Sequence, residues 1–253
     1  MSLSVKNPLA DEYREAVNFG ERRGVTAPDI LLLHYTGMED GEGAVRWLCC
    51  EESGVSCHYL VHEDGRIVQM VDEALRAHHA GAGSWEGNDD VNSRSIGVEI
   101  VNFGHEGDLP VYPDVQMNAV IALSADIINR HNIRPWHVLG HSDTAIGRKI
   151  DPGEHFDWKL LHQNGIGHFV EPAPIGAGGF FQQGDTGEPI EALQSMLALY
   201  GYGLNITGQF CENTHKVVEA FQRHFRPERV DGVADPSTLD TLHRLLRARA
   251  ELF

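Results

Sequence analysis

Residues 171–189 read Glu-Pro-Ala-Pro-Ile-Gly-Ala-Gly-Gly-Phe-Phe-Gln-Gln-Gly-Asp-Thr-Gly-Glu-Pro, a stretch in which Gly and Pro break up helix and strand alike. It divides the chain unequally. Before it, short apolar runs alternate with helical patterns; after it, apolar residues at helical spacing mark a small helical unit. The long part therefore reads as α/β and the short part as a helical unit, and 253 residues suffice for both. An apolar share of 42% against 23% charged is that of a chain that buries a core. The net charge of −17 argues against nucleic acid or an anionic membrane as partner.

No stretch reaches the length of a transmembrane helix. The first eight residues, Met-Ser-Leu-Ser-Val-Lys-Asn-Pro, lack the apolar core of a signal peptide, so the chain as given reads as soluble and without a secretion signal. A leader at Met1-Ser2-Leu3 in place of a removed signal is the alternative. The four cysteines, Cys49, Cys50, Cys57 and Cys211, contain no C-x-x-C pair, which disfavours a zinc-thiolate or thioredoxin-like site. A bridge from Cys49 or Cys50 to Cys57 stays open, with free thiols on buried faces the preferred reading.

Along the chain, 1–27 reads as an irregular lead-in. Residues 29–33 (Asp-Ile-Leu-Leu-Leu) form a strand that ends in His34. A helix over 43–52, a strand over 55–62, a tight two-residue Asp-Gly hairpin turn within 63–66 and a returning strand over 67–71 follow. A Gly- and His-rich loop spans 76–92. Residues 95–102 form a strand carrying Glu99, 115–131 the clearest amphipathic helix, and 137–140 a short strand that delivers His141. In the helical unit, Ile190, Leu193, Gln194, Leu197 and Leu199 mark a first helix, and Val217, Val218, Ala220 and Phe221 a second. Leu239, Leu242, Leu245 and Leu246 mark a third, capped by Asp235 or Ser237.

The chemistry concentrates in 137–153, where His141, Arg148, Lys149 and Asp151 share one loop that ends in Asp151-Pro152-Gly153. With His34 from the earlier strand edge, His141 and Asp151 make a three-ligand set that leaves a fourth metal position open to water. Glu99 is then a candidate proton carrier and Lys149 a candidate for stabilising an oxyanion. Residue types alone balance this equally against a group of satisfied surface polar residues.

Five motifs occur in order: Leu33-His34-Tyr35-Thr36; Val55-Ser56-Cys57-His58-Tyr59; His79-Ala80-Gly81 with Trp85; Asn92-Ser93-Arg94-Ser95-Ile96-Gly97-Val98-Glu99; and Gly140-His141-Ser142-Asp143 running on to Gly147-Arg148-Lys149-Ile150-Asp151-Pro152-Gly153. On these the chain, over about residues 28–170, resembles the zinc-dependent N-acetylmuramoyl-L-alanine amidases of the type 2 amidase, or peptidoglycan-recognition-like, family. The resemblance implies Zn²⁺ held by His34, His141 and Asp151, Glu99 as catalytic acid/base and Lys149 as the residue that stabilises the intermediate. The bond cut would join N-acetylmuramic acid to L-alanine of the stem peptide. Cys57 and His78 depart from the Ala and Trp that relatives often carry. Asp151 stands where animal recognition proteins usually have Cys, which favours the bacterial enzyme branch.

Residues 190–253 resemble the small three-helix peptidoglycan-binding domain through Leu193-Gln194, Tyr200-Gly201-Tyr202, Gly208-Gln209-Phe210, Ala220-Phe221-Gln222, Asp231-Gly232 and Thr238-Leu239. The combination resembles the cell-wall-acting, AmiD-type branch. The expected architecture is therefore a mixed central β-sheet with flanking helices over 1–172, a linker over 173–189 and the three-helix domain over 190–253. Trp85 and Asn88 are expected to contact the stem peptide, or else Trp85 packs on its own domain. His58, His78 and His79 are expected to line the site or to serve structurally rather than add ligands, with His58 and His79 the candidates for substrate contact. Arg148 would hold a substrate carboxylate or orient Asp151, and Tyr200, Tyr202 and Phe221 are candidates to line a glycan groove, with helix-core packing the stronger reading for Phe221. Peptidoglycan or a muropeptide is the expected partner, with no expectation for oligomeric state. The wall-binding module favours periplasm or cell envelope, and the lack of a signal in the given chain leaves cytoplasm open. The rival readings are a non-catalytic peptidoglycan recognition protein and an exported interbacterial amidase toxin.

Overall fold

The computed structural model describes residues 6–252, so the reading of Met1-Ser2-Leu3 as a leader lies outside the described residues. The lead-in is not irregular throughout. It contributes β1 (Glu12–Tyr13) and β2 (Phe19–Glu21), strands too short to leave a periodic pattern. The chain continues through β3 (Ile30–Tyr35), α1 (Gly41–Cys49), β4 (Tyr59–Val61), β5 (Ile67–Gln69), β6 (Leu75–Ala77), α2 (Val91–Arg94) and β7 (Ser95–Ile100). It then forms α3 (Asp114–His131), β8 (Val138–Gly140), α4 (His141–Thr144) and α5 (Trp158–Gln163). Three longer helices close it: α6 (Glu188–Tyr200), α7 (Glu212–Phe225) and α8 (Pro236–Ala250).

The main sheet runs in the order β1-β5-β4-β7-β3-β8, and β2 pairs with β6 apart from it. Only the β4–β5 hairpin is antiparallel within the main sheet; its other pairs are parallel. The hairpin loop holds three residues rather than the two predicted. His62 donates its N–H to Arg66 and Gly65 takes φ +87°, the left-handed position that closes a three-residue loop.

The central strand explains its own sequence. Ile30 to Leu33 are fully buried because both sheet faces are covered, so the run is continuously apolar. Leu31 and Leu33 pack with Ile96 and Val98 against Met117, Val120, Leu123 and Ile127 of α3. Ile30 and Leu32 point to the other face, where they join Leu193, Leu197, Phe221 and Leu242 of the C-terminal helices. On that same face Ala44, Val45 and Leu48 of α1 cover Leu60 and Val68. His34, two residues beyond Leu32, lies on this second face.

The linker lies against the helical unit rather than hanging free. Phe181 and Ala234 exchange two backbone hydrogen bonds, and Ala173 N–H donates to Thr241 Oγ1 at 3.1 Å. Asp235 is the cap of α8, its carboxylate accepting from Thr238 N–H at 2.8 Å. Leu199 is 70% exposed and leaves the apolar face assigned to it. Tyr200 and Tyr202 are buried against Trp85, so neither lines a glycan groove. All four cysteines are free, and Cys211 is exposed rather than on a buried face. No helix among the described residues is long and apolar enough to cross a membrane.

Candidate active site

Three neighbouring parallel strands bring the chemistry to one edge. His34 stands opposite Glu99 across the β3–β7 pair, and Leu33 stands opposite Gly140 across β3–β8, so His141 emerges level with His34. Asp151 is returned to this point by the loop: Ser142 N–H donates to its carbonyl at 3.0 Å. The three side chains are buried and converge. His34 Nδ1 and His141 Nδ1 are 2.9 Å apart, and each is 3.1 Å from Asp151 Oδ2. They are the one such trio of possible metal donors among the described residues. Tetrahedral ligation at about 2.0 Å puts ligand atoms about 3.3 Å apart, so this spacing and the N₂O donor set fit a single zinc-like ion.

Hydrogen bonds behind the histidines fix which nitrogen faces the centre. His141 Nε2–H donates to the Ala80 carbonyl at 2.8 Å, leaving the Nδ1 lone pair inward. For His34 the chain is longer. Ser95 Oγ–H is committed to the Val91 carbonyl at 2.7 Å, so Ser95 accepts from His79 Nε2–H at 3.2 Å. His79 Nδ1 is then unprotonated and accepts from His34 Nε2–H at 2.9 Å. His34 Nδ1 is thereby free to ligate. Room for the His79 ring comes from Gly97 on β7, where a Cβ would lie 2.5 Å from His79 Nδ1.

Electrostatics follow burial. Burial, helped by His141, lowers His34 to a pKa of about 4, keeping it neutral. Burial alone would raise the Asp151 carboxyl, but His141 and His34 outweigh it and hold it well below the usual carboxylate range. Glu99 goes the other way: burial, then the charge of Asp151, push it well above its ordinary value against the pull of Lys149. Its Oε2 is buried without a hydrogen-bond partner in the protein.

These groups share a cavity of about 250 Å³. His34, His79, Glu99, His141, Lys149 and Asp151 make the polar side; Met38, Ala44, Trp47, Leu48 and Val55 make an apolar wall. Trp47 is half exposed at that wall. The α1 wall is absent from the sequence-predicted site, although Ala44, Trp47 and Leu48 carry the i, i+3, i+4 signal of one helix face. A larger hollow of about 380 Å³ lies around Glu73, whose carboxylate is already shared by Tyr59, Arg130 and His131.

Two of the predicted substrate contacts, Trp85 and His58, are buried away from the cavity, and Asn88 and Arg148 are not among its lining residues. Trp85 is fully buried under Tyr200 and Tyr202 and has no surface to offer a ligand. Asn88 is exposed, but lines a separate hollow with Thr26 and Arg94. His58 is fully buried, accepting from Gly97 N–H at 3.0 Å and bonding the Leu75 carbonyl at 3.1 Å. It braces β7 from outside the cavity. Arg148 gives its guanidinium to the Ala80 and Ala82 carbonyls, so it ties the loop to the His79 segment and does not touch Asp151. His79 does line the cavity, and it orients His34.

A mixed α/β sheet with a buried His-His-Asp cluster, an acid and a lysine around one cavity is the equipment of a metal-dependent hydrolase. Residues 24–154 match the family model described as N-acetylmuramoyl-L-alanine amidase, and residues 186–242 match that of a peptidoglycan binding domain. The amidase AmiD of Escherichia coli is 34% identical over 86% of this chain and 82% of its own. The anhydro-muramyl amidase AmpD of Enterobacter cloacae is 31% identical over 53% of this chain and 79% of its own. Among solved structures, AmiD in complex with anhydro-N-acetylmuramic acid-L-Ala-D-γ-Glu-L-Lys superposes with a TM-score of 0.74 at 32% identity, covering 91% of this chain and 98% of that one. AmpDh3 of Pseudomonas aeruginosa with anhydromuramic pentapeptide gives 0.73 at 30% identity, covering 98% and 99%. The chain belongs to the N-acetylmuramoyl-L-alanine amidase family and is an enzyme of that class. The share of the chain that AmiD covers agrees with the expected AmiD-type architecture.

Proposed function

We propose that the chain is a zinc hydrolase that cuts the amide between N-acetylmuramic acid and the L-alanine of a stem peptide, in peptidoglycan or its fragments. The carrying observation is the donor triangle of His34, His141 and Asp151 with Glu99 and Lys149 on the same cavity. His34, His141 and Asp151 would hold the zinc, which when bound brings the pKa of water down to about 7 and polarises a carbonyl. Glu99 takes the proton released on attack and passes it to the leaving amine; burial and the charge of Asp151 raise its pKa, the direction that helps a carboxylate hold that proton. Lys149 offsets the charge that develops on the carbonyl oxygen. The wall formed by Met38, Trp47 and Leu48 receives apolar parts of the substrate. The muramyl-peptide ligands of the AmiD and AmpDh3 structures support this substrate class.

In this reading residues 1–172 carry the chemistry, 190–253 hold the polymer, and 173–189 join them. Holding an insoluble polymer raises the local concentration of scissile bonds. The test is digestion of defined muropeptides, with and without the anhydro end, followed by mass spectrometry. Free stem peptide, lost on chelation and regained with zinc, is the expected product. Unchanged substrate, or activity that survives complete zinc removal, would overturn the proposal.

A further inference from the structure

The C-terminal unit touches more than polymer. Helix α7 lies along the loop that supplies two of the three metal donors, and meets it at three points. Before the loop's apex, the fully buried Asp143 carboxylate accepts from three groups. Gly140 N–H and His224 Nδ1–H bond Oδ2 at 2.8 and 2.7 Å, and Tyr202 O–H bonds Oδ1 at 2.8 Å. At the apex, Gly147 leaves room for the stem of Lys216, whose Cδ would be 2.5 Å from a Cβ there. Beyond it, Arg223 Nε donates to Glu154 Oε1 at 2.8 Å. Lys216, Arg223 and His224 share one face of α7.

The first contact controls a metal donor. Gly140 immediately precedes His141, and a Cβ there would lie 2.8 Å from Pro152 Cδ, the residue after Asp151. Asp143 thus fixes the backbone at the point where the two donors' segments touch. His224 in turn has no freedom. Its ring is stacked on Trp158 at 3.8 Å and on Phe225 at 3.9 Å, with its Nδ1 aimed at Asp143. A rigid donor from the C-terminal unit therefore holds the carboxylate that holds the metal loop.

We propose that Asp143 and His224 are a positioning pair through which α7 sets the loop bearing His141 and Asp151. The helical unit is then part of the catalytic apparatus toward substrates of any size, and not solely a tether. This rests on the reading of His141 and Asp151 as zinc ligands.

The test uses the full chain and a monomeric muramyl tripeptide, a substrate too small to need tethering. Wild type, His224→Ala, His224→Asn and Tyr202→Phe are compared for zinc content, kcat, KM, rate of zinc loss to a chelator, and thermal midpoint. His224→Ala is expected to lower kcat and speed zinc loss by about 10–100-fold, the range for groups that orient metal ligands, with KM changed by less than about twofold. His224→Asn places an amide N–H where Nδ1–H was, and is expected to restore both to within about threefold although the ring stack is gone. Tyr202→Phe removes one hydrogen bond at little cost in packing, and is expected to lower kcat about threefold or more at unchanged KM. Wild-type kcat and zinc loss in His224→Ala and Tyr202→Phe would overturn the inference. Equal impairment of His224→Ala and His224→Asn would also overturn it, because packing alone would then explain the loss. Should the His224 variants not fold, Tyr202→Phe decides. A wild type that holds zinc and cuts while the variants match it defeats only this inference; a wild type without zinc defeats the ligand reading as well.

Discussion

At the residue scale, environment divides two acids between two tasks. Asp151 faces two imidazoles and stays ionised, whereas Glu99 is half-buried with a buried, unpartnered Oε2 and is pushed toward its neutral form. Glu99→Gln keeps the shape but removes the proposed proton carrier. Zinc content should be unchanged while kcat falls by about 10²–10⁴-fold, measured by stem-peptide release and metal analysis; near-full activity would exclude the role. The buried histidines predict acid lability in the metal-free protein. Burial holds His34 at about 4, His58 at about 3 and His79 well below its ordinary value. The unfolded chain takes up these protons near pH 6.5, so it binds more protons than the folded state throughout the interval below. Stability present above pH 6.5 is therefore lost as pH falls toward 4. Glu99 opposes this, since its raised pKa contributes stability that is lost as pH rises, but one carboxyl stands against these three imidazoles and against His62, His78 and His168, which burial also lowers. The thermal midpoint of chelator-treated protein should fall from pH 7 to pH 5; a flat or rising midpoint would contradict the assignment.

At the element scale, β3 and β7 were legible because burial on two faces leaves an apolar run that two residue types interrupt, His34 and Glu99. Register then sets those two side by side, which spacing alone could not reveal. The order of motifs marked the same residues through resemblance. What was not legible had little local signal. β1 and β2 are strands of two and three residues that exist through pairing with β5 and β6. Trp85 and His58 sit in motif-rich stretches, and only the fold shows that they face core and neighbouring strand rather than cavity. Gly97 is the case where a sequence signal existed: a glycine inside an apolar strand marks close approach. Gly97→Ala drives a Cβ to within 2.5 Å of His79 and must displace the ring that orients His34. Zinc affinity, titrated against a competing chelator, should fall about 10–100-fold while β7 itself tolerates the methyl. Wild-type affinity in Gly97→Ala would show that His79 does not orient His34.

At the scale of the whole molecule, composition at 171–189 suggested two bodies, and packing joins them into one. Trp85 and Trp136 from the sheet domain share a core with Leu193, Leu197, Tyr200 and Phe221. Gly201 lies so close to the Trp85 ring that a Cβ would come within 2.5 Å of it. Charge reinforces the joint: Arg249 of α8 bonds Glu86 at 2.8 Å, and Glu86 bonds His137 at 3.0 Å. A gap in Gly- and Pro-rich sequence reports backbone freedom, not the apolar area that flanks it, so the shared core could not be read from the linker. Unfolding in urea should therefore be one transition, coincident by far-ultraviolet dichroism and tryptophan fluorescence. Trp85→Ala should shift that transition by about 3–5 kcal/mol through the cavity it leaves between the units. KM for a small muropeptide should not change, because the indole does not reach the cavity lined by His34, His141 and Asp151. Two separated transitions in the wild type would show that the units fold independently, and a raised KM in Trp85→Ala at full folding would return the indole to the substrate site.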